Sequence, residues 1–94
     1  MPAEPARVAR DVTVRGVVQG VGFRFHCLRE AERHGVRGWV RNERDGTVAG
    51  HFEGTAEAVD ALVAWCRSGP AYARVDEVDE RSATPRGDRT FSVG

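Results

Sequence analysis

The chain has 94 residues with fourteen arginines, no lysine and fourteen acidic residues, so its formal net charge is zero. This length suits one small domain that buries roughly 60–65% of its unfolded surface, and it excludes a second domain or a large cofactor-binding fold. A neutral charge argues against a general nucleic-acid-binding protein, because such proteins usually carry a basic excess.

The cysteine content and the apolar runs limit the cellular setting. Cys27 and Cys66 are too few and too far apart for a zinc ribbon or a disulfide-rich scaffold. They favour buried free thiols in a reducing compartment, and a single disulfide between them stays open. The first residues lack the apolar core of a signal peptide, and no apolar run is long enough for a membrane span. We therefore expect a cytoplasmic protein without a membrane partner.

The first third of the chain predicts a strand, a glycine-bearing loop and a helix. Residues 1–7 contain two prolines and no periodic pattern, which predicts a flexible N-terminal arm before a domain spanning 8–94. Residues 8–17 alternate apolar with polar side chains, as in a half-buried strand. Residues 23–34 predict a helix that ends at Gly35, with one apolar stripe formed by Phe23, Cys27, Leu28 and Ala31.

The remaining elements follow in the order strand, strand, helix, strand, with a short last strand. The predicted strands are 36–42, 47–53, 74–83 and 90–93, with an Asp45-Gly46 hairpin turn and a helix over 56–67 capped by Thr55. In the strand 74–83, Val75 and Val78 lie three residues apart, which breaks strict alternation and predicts a bulge.

The element order β-α-β-β-α-β predicts the fold class. Two right-handed crossovers that place both helices on one face give an α+β, ferredoxin-like sandwich. We expect an antiparallel sheet of four to five strands. Because this fold hosts many functions, it decides nothing about chemistry.

The most informative segment is the loop at 18–24. Gly20 and Gly22 allow the backbone to curl and expose its N–H groups, and Arg24 stands where the helix begins. Backbone N–H groups, a helix N-terminus and a guanidinium together suit a phosphate. A tight structural turn explains the same glycines if the loop is taken alone.

Two longer motifs carry a family resemblance. Residues 14–24 read VRGVVQGVGFR and residues 38–54 read GWVRNERDGTVAGHFEG. Both stretches resemble the signature motifs of the acylphosphatases, without gaps and in the right order. The resemblance covers nearly all of residues 8–94. It implies a ferredoxin-like enzyme that hydrolyses acyl phosphates to carboxylate and phosphate.

The resemblance also implies roles for individual residues. Arg24 matches the family's substrate-binding arginine, and Asn42 matches its catalytic asparagine, whose amide can orient a water without deprotonating it. The predicted phosphate-binding loop consists of Gln19, Gly20, Val21, Gly22, Phe23 and Arg24. We expect Gln19 to bond within this loop as support. The partners implied are a small-molecule acyl phosphate as substrate and inorganic phosphate as product or inhibitor, and no metal or cofactor is needed. We expect a monomer, because one core accounts for the apolar residues.

Two other functional classes compete with this interpretation. An RNA-binding module on the same fold would need paired aromatic residues on adjacent strands, and this chain lacks them. A non-catalytic acylphosphatase-like binding or accessory domain stays open. No Ser-His-Asp or Cys-His set has a strong local signature, and no His, Cys, Asp and Glu cluster has metal-ligand spacing. His26, His34 and His51 are expected to be ordinary surface or partly buried residues.

Overall fold

The computed structural model describes residues 6–94. The strands are β1 (Val8–Val17), β2 (Arg37–Asn42), β3 (Val48–Gly54), β4 (Arg74–Ala83) and β5 (Phe91–Val93), and the helices are α1 (Phe23–His34) and α2 (Ala56–Ser68). Every predicted element is present, with bounds that agree to within one residue. The first five residues of the predicted arm lie outside the described part of the chain.

The five strands form one sheet in the order β4-β1-β3-β2-β5. The hairpin β2–β3 turns at the predicted Asp45-Gly46, and both β3 and β4 pair antiparallel with β1. The predicted bulge is confirmed in β4, because Arg15 pairs with Glu77 while Gly16 pairs with Val75, which leaves Asp76 as the extra residue.

Both helices pack on the sheet through one core. The buried stripe of α1 carries Phe23, Cys27 and Ala31, and that of α2 carries Val59, Leu62, Val63 and Cys66. Thr55 caps α2 as predicted, since its hydroxyl accepts from the Ala58 N–H at 3.2 Å. Neither helix is long and apolar enough to cross a membrane within residues 6–94.

Cys27 and Cys66 lie face to face in this core as free, buried thiols. A hydrogen bond with Cys66, together with burial, raises the pKa of Cys27. A thiol with a raised pKa is a poor nucleophile, so Cys27 acts as packing. Cys66 belongs to the same buried core.

The prediction of a wholly antiparallel sheet is wrong at one edge. β5 pairs with β2 in parallel, with Gly38 opposite Phe91 and Val40 opposite Val93. The cause is the preceding connection, because β4 ends at the same end of the sheet at which β2 starts, so a segment that runs across the strands starts β5 beside the start of β2. β4 and β5 lie at opposite edges of the sheet. Residues 84–90, which we call the strap, must therefore cross β1, β3 and β2 before β5 begins.

A buried carboxylate holds the strap in place. Glu53 on β3 is fully buried and accepts the backbone N–H groups of Arg86, Gly87 and Asp88 at 2.5, 3.1 and 3.2 Å. Its neighbour Phe52 belongs to the core below the helices. Since successive side chains of a strand point to opposite faces, Glu53 and the strap occupy the face without helices.

His51 completes this anchor and corrects the expectation of an ordinary histidine. It is 1% exposed, and its ring nitrogens lie 2.6 Å from Asp11 Oδ1 and 2.7 Å from Glu53 Oε2. An ionised carboxylate only accepts hydrogen bonds, so a contact from each ring nitrogen to a carboxylate favours the imidazolium form of His51. Burial alone would lower the pKa of His51, but the hydrogen bonds and charges of Glu53 and Asp11 outweigh burial and raise it.

The Glu53 pKa is displaced in the opposite direction. Burial by itself would raise the pKa of this carboxyl, but the strap N–H donors and His51 outweigh burial and lower it below its ordinary 4.5. The two groups therefore stabilise one another as a buried ion pair that also fixes the strap.

Removing the Glu53 charge should weaken the whole fold. In Glu53→Gln, the lost pair leaves His51 without its buried partner, and breaking such a pair costs about 3 kcal/mol. We expect that loss in the free energy of unfolding measured by urea titration. The matched control is Glu77→Gln, whose ion pair with Arg15 is exposed and whose loss should stay below about 0.5 kcal/mol. Equal losses in both variants would contradict the anchor.

The His51 contribution should depend on pH. Because folding raises its pKa above the ordinary 6.5, its stabilisation is complete below that value and is lost as the pH rises through the folded-state pKa. The gap in free energy of unfolding between the native chain and His51→Gln should therefore be larger at about pH 6 than at about pH 9. His34→Gln, in the last turn of α1, serves as the control. A gap that widened with pH would contradict the charged state of His51.

Candidate active site

Three strands stop at the same end of the sheet, which we call the site end. β1 and β2 both run antiparallel to β3, so their last residues lie on the same side. Because β5 is parallel to β2, its end also arrives there, and the Gly94 N–H donates to the Val40 carbonyl at 2.9 Å. The loop after β1, the end of β2 and the end of β5 thus meet at the site end.

The loop after β1 forms an open backbone concavity. Gly20 and Gly22 have φ of 74° and 80°, the left-handed region that glycine adopts without strain. A side-chain carbon at Gly20 would meet nothing within 4 Å, so this position faces open space. We call residues 19–24 the nest.

The start of α1 is left open toward the nest. Gly22 is its N-cap, with no side-chain cap hydrogen bond, and its first turn contains no acidic residue. The first N–H groups of a helix have no partner inside the helix, and the helix dipole adds partial positive charge to them. This end of α1 therefore offers donors to an anion.

Gln19 connects the nest to the β2–β3 hairpin. Its side-chain amide donates to the carbonyls of Glu43 and Thr47 at 2.7 and 2.9 Å. The expectation that Gln19 bonds within its own loop is wrong, because the amide reaches across to a different one. The bond to Glu43 bears on the position of Asn42, because Glu43 directly follows Asn42 in the chain.

Arg24 and Asn42 line one cleft beside the nest. The cleft has a volume of about 270 Å³ and is lined by Val18, Gly20, Gly22, Phe23, Arg24, Phe25, Leu28, Asn42 and Val93. Of the residues predicted for the site, Gln19 and Val21 are outside this lining. Val21 packs against the core instead.

Arg24 is a half-buried residue whose guanidinium already has one partner. Its Nη1 donates to the main-chain oxygen of Gly94. A guanidinium has five N–H donors in a fixed plane, so one bond to the backbone orients the group and leaves other donors for a ligand. Sequence reasoning missed this contact, because seventy positions separate the two residues.

A second group of titratable residues meets away from the cleft. His51, Glu53 and Asp88 place ligand-type atoms within 4.8 Å of one another, although no such set is visible in sequence spacing. The signal in the sequence was the His51-Phe52-Glu53 alternation, which puts two ionisable side chains on one face of β3. Each Glu53 oxygen already has two donors, so this group is the strap anchor.

Comparison with known proteins assigns the family. The acylphosphatase family model matches residues 10–93. An acylphosphatase from Nocardioides sp. is 59% identical over 87 residues, which cover 93% of this chain and 88% of that relative. One from Geobacter sulfurreducens is 61% identical over 72 residues, 77% of this chain and 79% of that relative.

The fold comparison agrees. The crystal structure of acylphosphatase from Bacillus subtilis superimposes with a TM-score of 0.90 at 31% identity, covering 93% of this chain and 98% of that one. A family model over most of the chain, close relatives of similar length and the same fold lead to one assignment: the chain belongs to the acylphosphatase family, hydrolases that act on acyl phosphates.

Proposed function

We propose that this chain hydrolyses acyl phosphates by binding the phosphoryl group in the nest with Arg24 and by orienting the attacking water with Asn42. The observation that carries the proposal is the shared cleft, in which Arg24 and Asn42 stand beside the glycines of the nest. Family membership supports the reaction, and the geometry supports the division of roles.

The binding half of the site needs only groups that the chain supplies. A phosphoryl group carries two negative charges spread over three oxygens, and catalysis depends on holding and compensating them. The uncapped N–H groups of α1 and the nest donate to these oxygens. Arg24 adds a full positive charge and a planar pair of donors that matches two phosphate oxygens.

The water-orienting half is Asn42 at the end of β2. Its carboxamide oxygen accepts from a water and its N–H₂ donates, so it can fix a water in line with the bond that breaks. An amide is too weak a base to take the proton. The proton therefore passes to a phosphate oxygen of the substrate.

The reaction balances without a further group. The water oxygen forms a bond to phosphorus, the bond between phosphorus and the bridging carboxyl oxygen breaks, and its electron pair leaves with the carboxylate. Acyl phosphate dianion and water thus give carboxylate and dihydrogen phosphate. The carboxylate is a good leaving group, so no general acid is required.

The proposal also covers the oligomeric state and the cellular location. The protein acts as a monomer, which is supported by one core that takes up most of the apolar residues. It acts in the cytoplasm, which is supported by its two free thiols. Inorganic phosphate, the product, should also inhibit by occupying the nest.

The two roles predict different kinetic defects. Arg24→Ala should lose turnover and phosphate affinity together. Asn42→Ala should lose roughly 100-fold or more in kcat, as when a transition-state donor is removed, while phosphate affinity stays within a few-fold. Benzoyl phosphate hydrolysis with EDTA present and calorimetric titration of phosphate measure both.

Arg29→Ala is the matched control, because Arg29 is an exposed arginine of the same helix that does not line the cleft. Its turnover should equal that of the native chain. Full activity in Asn42→Ala would overturn the role of that residue. A folded native chain that hydrolyses no acyl phosphate would favour an accessory domain.

The nest can be tested with two glycines of equal strain. Gly20 and Gly35 have φ of 74° and 71°, and a methyl group at either position meets nothing within 4 Å. Alanine at each should cost a similar amount of stability, roughly 1–2 kcal/mol. Only Gly20→Ala puts a methyl group in the cleft, so only this variant should lose phosphate affinity in a calorimetric titration. Equal affinity in both variants would argue against an anion nest.

A further inference from the structure

We propose that His26 is a positioning residue of the nest: its Nδ1–H holds the Gly22 carbonyl, so that the N–H of the same peptide unit, which belongs to Phe23, points at the phosphoryl group. This inference rests on the proposed function and adds to the site a residue that the two sequence motifs do not include. The contact that carries it joins a side chain of α1 to the backbone of the nest.

The His26 ring is exposed but has a defined partner. Its Nδ1 lies 3.1 Å from the carbonyl oxygen of Gly22, about one helical turn earlier in the chain. A carbonyl oxygen only accepts hydrogen bonds, so Nδ1 is the nitrogen that carries the proton in this contact. The same oxygen also accepts the backbone N–H of His26 at 3.1 Å. The Gly22 carbonyl therefore receives both of its donors from one residue.

The two bonds fix the direction of the peptide unit between Gly22 and Phe23. No cis peptide bond is present among residues 6–94, and in a trans peptide the C=O and N–H groups point in opposite directions. The Gly22 carbonyl points along α1 toward His26. The Phe23 N–H must then point out of the start of the helix, on the side where Gly22 and Phe23 line the cleft.

Gly22 by itself gives this peptide unit little restraint. Its φ of 80° lies in the left-handed region, and it has no side-chain cap hydrogen bond. Glycine has more backbone freedom than any other residue, so holding it in one conformation needs contacts from elsewhere. The His26 ring supplies such a contact and lies close, since a side-chain carbon at Gly22 would be 3.6 Å from Nδ1.

The same bonds strengthen the Phe23 donor. Hydrogen bonds in a chain polarise one another, so a peptide whose oxygen accepts two donors has an N–H group that donates better. Phe23 is the first residue of α1, and its N–H has no partner inside the helix. An anion in the nest completes a chain of bonds that runs from His26 through this peptide unit to a phosphoryl oxygen.

Two substitutions of one shape test the role of the Nδ1 proton. Asparagine places an N–H₂ nitrogen where histidine has Nδ1, whereas leucine has the same branched shape without a donor. In a calorimetric titration, His26→Asn should keep most of the affinity for inorganic phosphate, and His26→Leu should lose roughly fivefold, the scale of one hydrogen bond. Leucine is the better helix former of the two, so a weaker helix does not explain this order.

Steady-state kinetics separate positioning from a loss of folded protein. The Phe23 N–H contacts a phosphoryl oxygen both before and during transfer, so it contributes uniform binding. His26→Leu should therefore raise the KM for benzoyl phosphate by roughly the same fivefold and leave kcat nearly unchanged. A structural defect alone would lower kcat through a smaller folded fraction and leave KM as it is. That pattern would overturn the proposal, as would equal phosphate affinity in His26→Asn and His26→Leu.

His34→Leu is the matched control, because it is the same substitution in the last turn of the same helix. His34 lies eight positions beyond His26, roughly 12 Å along the helix axis. The control should change neither the KM nor the phosphate affinity. An equal loss of affinity in His34→Leu would overturn a role specific to His26.

Nuclear magnetic resonance separates this inference from the proposed function, because its readouts need no turnover. Imidazole ¹⁵N shifts should show that neutral His26 carries its proton on Nδ1, and phosphate should move the Phe23 amide signal further in His26→Asn than in His26→Leu. A chain that shows both signs without hydrolysis would overturn the activity and support the positioning role. An active chain whose neutral His26 is protonated on Nε2 would overturn the positioning role and leave the activity intact.

Discussion

The buried carboxylate of Glu53 is the constraint on which the arrangement of the site depends. A segment that crosses the face of a sheet brings backbone N–H groups into a place where water is scarce, and each unpaired group there is costly. Glu53 accepts three of these groups from the strap. The strap can therefore cross to the far edge, where β5 adds in parallel beside β2. If β5 were antiparallel to β2, its first residues would lie at the site end of the sheet, and Val93 and Gly94 would lie at the opposite end.

Consecutive backbone N–H groups converge at two places in the molecule, and the two places differ in whether a side chain of the protein accepts from these groups. In the strap, the chain's own carboxylate takes the donors, and His51 and Asp11 extend that network. At the start of α1, no side chain caps the helix and no acidic residue stands in the first turn. The first arrangement stabilises the fold. The second leaves donors available to an anion.

Local features of the fold were predictable from the sequence. Strands and helices followed from apolar periodicity, and the bulge at Asp76 followed from the spacing of Val75 and Val78. Contacts between distant residues were not predictable. The parallel β5, the reach of Gln19 to the hairpin and the burial of His51 each depend on which strands become neighbours. For the site, the motifs predicted Arg24 and Asn42, but the place of Val93 in the cleft depends on the pairing of β5.

The strap anchor and the cleft lie at opposite ends of the strands, and β5 connects them. Glu53 pairs with Arg37 at the start of β2, whereas Asn42 ends β2 at the cleft, a separation of roughly 16 Å at 3.3 Å per residue. β5 pairs with β2 along this path, and Gly94 beyond it accepts from Arg24. The arginine proposed to bind the phosphoryl group is thus oriented by the main-chain oxygen of Gly94, whose position depends on the strap. Asn42 has no such dependence, because the β2–β3 pairing fixes it directly. If Arg24 and Asn42 have the roles proposed above, loosening of the strap would therefore act on phosphate binding through Arg24 before it acted on the orientation of the water by Asn42.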